Sequence, residues 1–182
     1  MKRESTVKYV VRLALTLLAI TAVVAVALAG VNAITEPKIE EFNQQKLQSA
    51  IEEVLPGGGS SVPFTDETET VSTVYQGESG YAVEVHPNGF GGAITMMVGV
   101  GNDGKVLGIS VVSQSETAGL GAVCAATTSP GEAFRGQFAG VSGSIAVTKD
   151  GGQIDAITGA TITSRAVTTG VNAALDCIAN MG

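Results

Sequence analysis

Ala93-Ile94-Thr95-Met96-Met97-Val98-Gly99-Val100-Gly101-Asn102-Asp103-Gly104-Lys105-Val106-Leu107-Gly108-Ile109-Ser110-Val111-Val112 reads as a β-hairpin. Residues 93–99 and 106–112 are short runs rich in β-branched side chains, and Asn102-Asp103-Gly104 between them is turn sequence. The same stretch holds a match to G-x-G-x-x-G, Gly99-Val100-Gly101-Asn102-Asp103-Gly104. A dinucleotide-binding fingerprint requires a helix directly after the glycines. Here Lys105-Val106-Leu107-Gly108-Ile109-Ser110 follows, which has the pattern of a strand. The doubly wound fold is therefore rejected and the hairpin sets the class. Met96 and Met97 are adjacent in it, so they point to opposite faces and read as core.

Working outward, residues 71–75 and 81–85 are two further strand-like runs. Beyond the hairpin, residues 113–140 are looser and Gly-rich. Phe134 and Phe138 lie four apart there, one face of a short helix. Residues 144–149 and 154–157 read as two more strands around the turn Asp150-Gly151-Gly152. A closing helix is expected from about Ser164 to Asn180, with Val167, Val171, Ala174, Leu175 and Ile178 as its buried stripe. This order predicts an α+β domain with an antiparallel sheet and flanking helices.

The 182 residues suffice for one such domain plus a small addition. The addition is N-terminal. Residues 13–35 contain no charged side chain, and a helix needs about 20 apolar residues to cross a bilayer. Lys2, Arg3, Lys8 and Arg12 precede it against Glu4 alone, so the positive-inside rule keeps the N-terminus cytoplasmic and exports the rest. Ala27-Leu28-Ala29 also has the form of a signal-peptidase site, but the apolar run continues past it, which favours an uncleaved anchor. Glu36-Pro37 suits the start of a second, amphipathic helix to about Leu55, with Ile39, Phe42, Leu47, Ile51, Val54 and Leu55 at helical spacing. Pro56-Gly57-Gly58-Gly59-Ser60-Ser61 and the acidic Asp66-Glu67-Thr68-Glu69 then read as a flexible linker. The expected organisation is an anchor over 1–35, a connector and linker over 36–69, and a folded domain over 70–182.

The net charge is −7 and the first twelve residues carry +3, leaving about −10 on the remainder. That balance excludes nucleic acid as a partner. Cys124 and Cys177, 53 residues apart, leave two readings open: a disulfide in an exported domain, or two separate buried thiols. His86 is the single histidine and has no Cys or His cluster beside it, so no metal site is expected. There are no paired carboxylates, no Ser/His dyad and no basic phosphate cluster. Hydrolase and nucleotidyl-transfer chemistry therefore have no residues to carry them, and no catalytic residue is assigned.

Asp155-Ala156-Ile157-Thr158-Gly159-Ala160-Thr161 remains, immediately before Ile162-Thr163-Ser164 and the closing helix. Small residues let the backbone approach a bulky anion, and a helix N-terminus offers unpaired N–H groups and a positive dipole end to a phosphate. A plain strand–turn–cap accounts for the same residues, since Thr and Ser are preferred caps. Thr163 and Ser164 have both options, hydrogen bonds to a phosphate or helix capping.

The run also resembles the D-x-x-[S/T]-G-A-T recognition sequence for covalent attachment of FMN, in which the last Thr carries the flavin phosphate as a phosphoester. Two other blocks extend the likeness. One is Gly80-Tyr81-Ala82 through Gly89-Phe90-Gly91-Gly92 into Met96-Met97-Val98-Gly99. The other is Glu116-Thr117-Ala118-Gly119-Leu120-Gly121, similar to an E-T-P-G-L-G loop with Ala118 at the usual Pro. With Phe134-Arg135-Gly136-Gln137-Phe138 and the single N-terminal span, nearly the whole chain resembles the G subunit of Rnf-type electron transport complexes. The C subunit of the sodium-translocating NADH:quinone reductase shares the flavin domain and ranks second. A cofactor-free exported scaffold or assembly domain is the rival from another class.

The resemblance implies an extracytoplasmic FMN-binding domain on a single-pass anchor. It would relay electrons in a complex that couples transfer between ferredoxin and NAD to ion transport. Its implied partners are the other membrane subunits of that complex and a flavin transferase for maturation. Thr161 is the implied attachment residue, with Thr158, Gly159 and Ala160 shaping the turn and Asp155 read by the transferase. Glu116, Thr117, Gly119 and Leu120, with Gly121, are implied to line the flavin ring.

Overall fold

The computed structural model describes residues 2–64 and 70–181; the acidic stretch Asp66-Glu67-Thr68-Glu69 lies outside them. Two compact units divide the chain, Met1–Gln45 and Lys46–Gly182. The first unit consists of helix α1 (Lys2–Val54) up to Gln45. Leu13, Leu17, Leu18, Val24, Leu28 and Val31 are all exposed along it, and its apolar window is long enough to cross a membrane with none of it buried. Apolar side chains on every side of a helix suit lipid rather than water.

The expected break at Glu36-Pro37 is absent, because α1 runs through Pro37 without interruption. Proline removes one N–H from the helix ladder, yet helices survive this where neighbouring turns hold. Asn32 spans the turn before it, its Nδ2 donating to Glu36 Oε2 at 3.2 Å. The segment expected to be a separate connector is the continuation of one helix.

The second unit is built on a five-stranded antiparallel meander in the order β1 (Ser60–Val62), β2 (Val71–Gln76), β3 (Gly80–Val85), β4 (Thr95–Gly101) and β5 (Val106–Ser113). Asn102-Asp103-Gly104 makes the β4–β5 turn as expected, with Gly104 at φ +74°. β1 corrects the linker reading: Ser60, Ser61 and Val62 pair with Gln76, Tyr75 and Val74. The Gly57-Gly58 turn, both at positive φ, folds the chain back so that this short polar run becomes an edge strand.

Register sorts the side chains onto two faces. Val83, Val98 and Ile109 stand opposite one another, as do Val85 and Met96, and with Val74 and Val100 they bury the main core. Helix α3 (Thr161–Met181) covers that face with Ala166, Val167, Val171, Ala174, Leu175 and Cys177. Met97 and Ala82 point the other way, onto Ala50, Ile51, Val54 and Leu55 at the end of α1 and just beyond it. Helix α2 (Ser129–Gly136) and the loop after it add Phe134 and Phe138, edge to face with ring centroids 5.5 Å apart. Arg135 pins the preceding 3-10 turn by donating to the carbonyls of Cys124 and Ala126, both at 2.9 Å.

The two strands expected over 144–149 and 154–157 do not form. Only a single parallel bridge, Val147 to Ile154, joins them around a 3-10 turn at Thr148–Asp150. Their apolar side chains, Ile145, Val147 and Ile154, are buried as the pattern required. Side-chain amides take over the backbone pairing. Asn172 accepts from Ile145 N–H (2.9 Å) and donates to its carbonyl (2.8 Å). Gln137 does the same for Asp155, at 2.7 and 3.2 Å.

Gly99 on β4 faces Gly108 on β5, and a side chain at the two positions meets different surroundings. A Cβ at Gly99 would collide with the Val54 carbonyl, whereas one at Gly108 meets nothing within 4 Å. Gly99→Ala is therefore expected to lose about 1–3 kcal/mol in urea unfolding of the detergent-solubilised chain, the range for overpacking. Gly108→Ala should stay within roughly 0.5 kcal/mol of wild type. Equal effects would show that the end of α1 does not bear on β4.

Candidate functional site

Three segments meet at the first turn of α3: the Gly89-Phe90-Gly91-Gly92 loop, the loop from Glu116 to Gly121, and the turn that delivers Thr161. Glu116 joins them. Its side chain is buried; Oε1 accepts from Gly91 N–H at 2.8 Å and Oε2 from the Thr163 hydroxyl at 2.6 Å. Its own N–H donates to Gln114 Oε1 at 2.5 Å. Glycines make room for the carboxylate, since a Cβ at Gly89 or Gly121 would collide with its oxygens.

These segments enclose a hollow of about 330 Å³ lined by Phe90, Glu116, Thr117, Leu120, Gly121, Gly159, Ala160, Thr161, Ile162 and Thr163. Phe90, Leu120 and Ile162 are large apolar side chains left exposed at 70%, 43% and 52%. Hollows of about 470 and 560 Å³ elsewhere in this unit contain none of the expected site residues.

Thr161 is the first residue of α3. The turn before it is closed by Ala160 N–H donating to the Ile157 carbonyl at 2.9 Å. Gly159 sits in that turn at φ +76°, and a Cβ there would press on Leu120. Ser164 lies beneath, fully buried. Its hydroxyl accepts from Ile157 N–H (3.0 Å) and donates to the Ala160 carbonyl (2.9 Å). The Thr163 hydroxyl is committed to Glu116 and that of Ser164 to the turn. Both hold Thr161 in place and neither faces the hollow with a free proton.

Of the residues singled out from sequence, Glu116, Thr117, Leu120, Gly159, Ala160, Thr161 and Thr163 come together around the hollow. Thr158 and Gly119 are exposed in the adjoining turns, and Asp155 is exposed, its backbone held by Gln137. Phe90 and Ile162 were missed as lining residues. A lone Phe between glycines was the available signal for the first. Lys149 was missed too. Its Nζ donates to Thr161 Oγ1 at 2.9 Å.

Chain separation hid that contact, because the 3-10 turn carrying Lys149 is folded back twelve residues onto α3. Arg165, one helical turn after Thr161, anchors the same turn through Asp150, with bonds of 2.7 and 2.6 Å. The Arg165 guanidinium holds the Asp150 carboxyl below the usual carboxylate range. Thr161 therefore sits where an ammonium and a helix N-terminus converge, beside apolar side chains and small residues.

Among the described residues no group of His, Cys, Asp and Glu could hold a metal ion. Cys124 and Cys177 are both buried and no disulfide joins them, which decides between the two cysteine readings.

Residues 89–176 match the FMN-binding domain family, and residues 1–54 match the RnfG N-terminal region. The first match spans every residue that lines the hollow and defines the class, a flavoprotein domain. The G subunit of the Na(+)-translocating ferredoxin:NAD(+) oxidoreductase complex of Acetobacterium woodii is 36% identical, over 96% of this chain and 94% of that protein. The G subunit of the ion-translocating oxidoreductase complex of Methanosarcina acetivorans is 33% identical, over 94% and 95%. The G subunit of a proton-translocating complex from Clostridium ljungdahlii is 45% identical over about half of each chain. This chain belongs to the family of G subunits of Rnf-type ion-translocating oxidoreductase complexes.

Burial, and after it the charge of Glu116, pushes the Cys124 thiol up to about 11. The native state then holds a proton that the unfolded chain releases near the ordinary value of 9.0. The associated stability is complete below that pH and declines as pH rises towards the folded value. Unfolding midpoints between pH 8 and 11 should fall more steeply for wild type than for Cys124→Ala. Parallel curves would show that this thiol does not titrate in the buried state.

Proposed function

We propose that this subunit carries FMN phosphoester-linked to Thr161 and relays electrons through it. The relay serves an Rnf-type complex that couples electron transfer between ferredoxin and NAD to ion transport. The observation that carries the reading is the setting of Thr161, whose hydroxyl meets the Lys149 ammonium at 2.9 Å at the mouth of an apolar-lined hollow. FMN fits that setting in both its parts. The Lys149 ammonium and the N-terminal dipole of α3 would hold a phosphate on Thr161, and the exposed side chains of Phe90, Leu120 and Ile162 would offer apolar surface to the ring system. Bound there, FMN supplies an electron carrier that works in single or paired steps.

The protein's part is binding and exclusion. Gly159 and Ala160 keep the turn open, Thr117 and Leu120 wall the hollow, and Glu116 and Thr163 fix the three segments. Thr158 and Asp155 remain exposed in the segment that leads to Thr161, and Asp155 would be read there by a flavin transferase during maturation. Ser164 acts from beneath by holding the turn.

We further propose that residues 1–35 serve as the membrane anchor and that the folded unit from Lys46 onward, with β1 joined to its sheet, carries the FMN-binding domain. The basic residues ahead of the span keep the N-terminus cytoplasmic and place the flavin outside. The other membrane subunits of the complex are its partners, as the names of its relatives suggest.

Co-expression with a flavin transferase followed by intact mass and peptide mapping tests the attachment. A gain of about 438 Da, one FMN less water, is expected on the Thr161 peptide. Thr161→Ala should abolish it while leaving the fold intact. Lys149→Gln should slow attachment roughly tenfold, in line with the loss of one charge-assisted hydrogen bond. Covalent flavin retained by Thr161→Ala would defeat the assignment.

A further inference from the structure

Glu116 is a charge as well as a tie. Each of its oxygens receives a neutral donor, Gly91 N–H and the Thr163 hydroxyl. Among the described residues no lysine, arginine or histidine forms an ion pair with it. The buried Cys124 thiol is raised partly by its field, so the charge is felt locally. Glu116 also lines the hollow between Phe90 and Thr163. A ring seated there has in its wall a buried carboxylate that forms no ion pair among the described residues; the Arg135 guanidinium, which opposes its effect on Cys124, is engaged with the Cys124 and Ala126 carbonyls.

We infer that Glu116 acts as a fixed negative charge that holds the reduction potential of the flavin low. The inference rests on the flavin reading above. The oxidised ring is neutral; two electrons and one proton convert it to the reduced anion, so reduction adds one negative charge beside the carboxylate. Like charges repel strongly where water is excluded, and the reduced form is disfavoured. Glu116 is thus a positioning residue whose charge has a second effect, on potential.

Glu116→Gln separates the two. The amide oxygen can accept from Gly91 N–H, and the amide nitrogen can donate to Thr163 Oγ1, so the tie survives without the charge. Thr163→Val does the reverse, keeping the charge and removing one donor that disperses it. Midpoint potentials of the flavin-loaded full chain in detergent, poised electrochemically with mediators at pH 8, read the difference.

Glu116→Gln should favour the reduced flavin about tenfold, a positive shift of ~30 mV for a two-electron couple. Thr163→Val should shift the potential negative. An unchanged potential in Glu116→Gln, or a shift of the same sign in both variants, overturns the inference, because a loosened hollow moves both alike. If Glu116→Gln does not fold, the sign in Thr163→Val decides alone: negative supports the inference, unchanged or positive overturns it.

Denaturation of the wild type distinguishes failure of the underlying reading. Flavin that washes away defeats the Thr161 linkage, and the same comparison on reversibly bound FMN still decides Glu116. A wild type that takes up no flavin in either way overturns both.

Discussion

The carboxylate of Glu116 ties together parts of the chain that lie far apart in sequence. Gly91 lies 25 residues before it and Thr163 lies 47 after it, yet both donate to it at 2.8 Å or less. Hydrogen bonds to a charged group contribute about 1.5–3 kcal/mol each, and a donor left behind without its acceptor incurs a desolvation penalty of similar size. The glycines at 89 and 121 are the steric condition for this contact. The hollow thus exists as a consequence of one buried anion and the space cleared for it.

Behind that tie stands a sheet used on both faces. Val83, Val98 and Ile109 serve the core under α3, while Ala82 and Met97 serve the end of α1. β4 is consequently buried along nearly its whole length. The period-2 rule gave Met96 and Met97 opposite directions from sequence alone, and both are core. It left open what covers the second face, because the last turns of α1 read equally well as a free amphipathic connector. The polar run at Ser60 and Ser61 was harder still. Its strand comes from pairing with Tyr75 and Gln76, not from any propensity of its own.

The segment from 144 to 157 shows a different limit. Its apolar pattern was legible, and Ile145, Val147 and Ile154 are buried. The pairing was not, since Asn172 and Gln137 supply from a helix and a loop the hydrogen bonds that a neighbouring strand normally supplies. Buried backbone groups must be paired, but the rule does not say with what. The irregular chain that results carries the turn at Lys149 back onto α3, which is how a lysine twelve residues away reaches Thr161.

Sequence by itself determined the α+β class, the membrane-length apolar helix, the β4–β5 hairpin, the buried stripe of α3 and the run that ends at Thr161. Each rests on periodicity or on residue types within a short window, which local sterics and burial enforce. Tertiary structure alone decided that Glu116 turns inward, that Thr163 gives its hydroxyl proton to that carboxylate, and that Lys149 faces Thr161. Those are contacts between groups distant in the chain. They follow from how buried polar atoms find partners once the core has closed, and no local pattern encodes that choice.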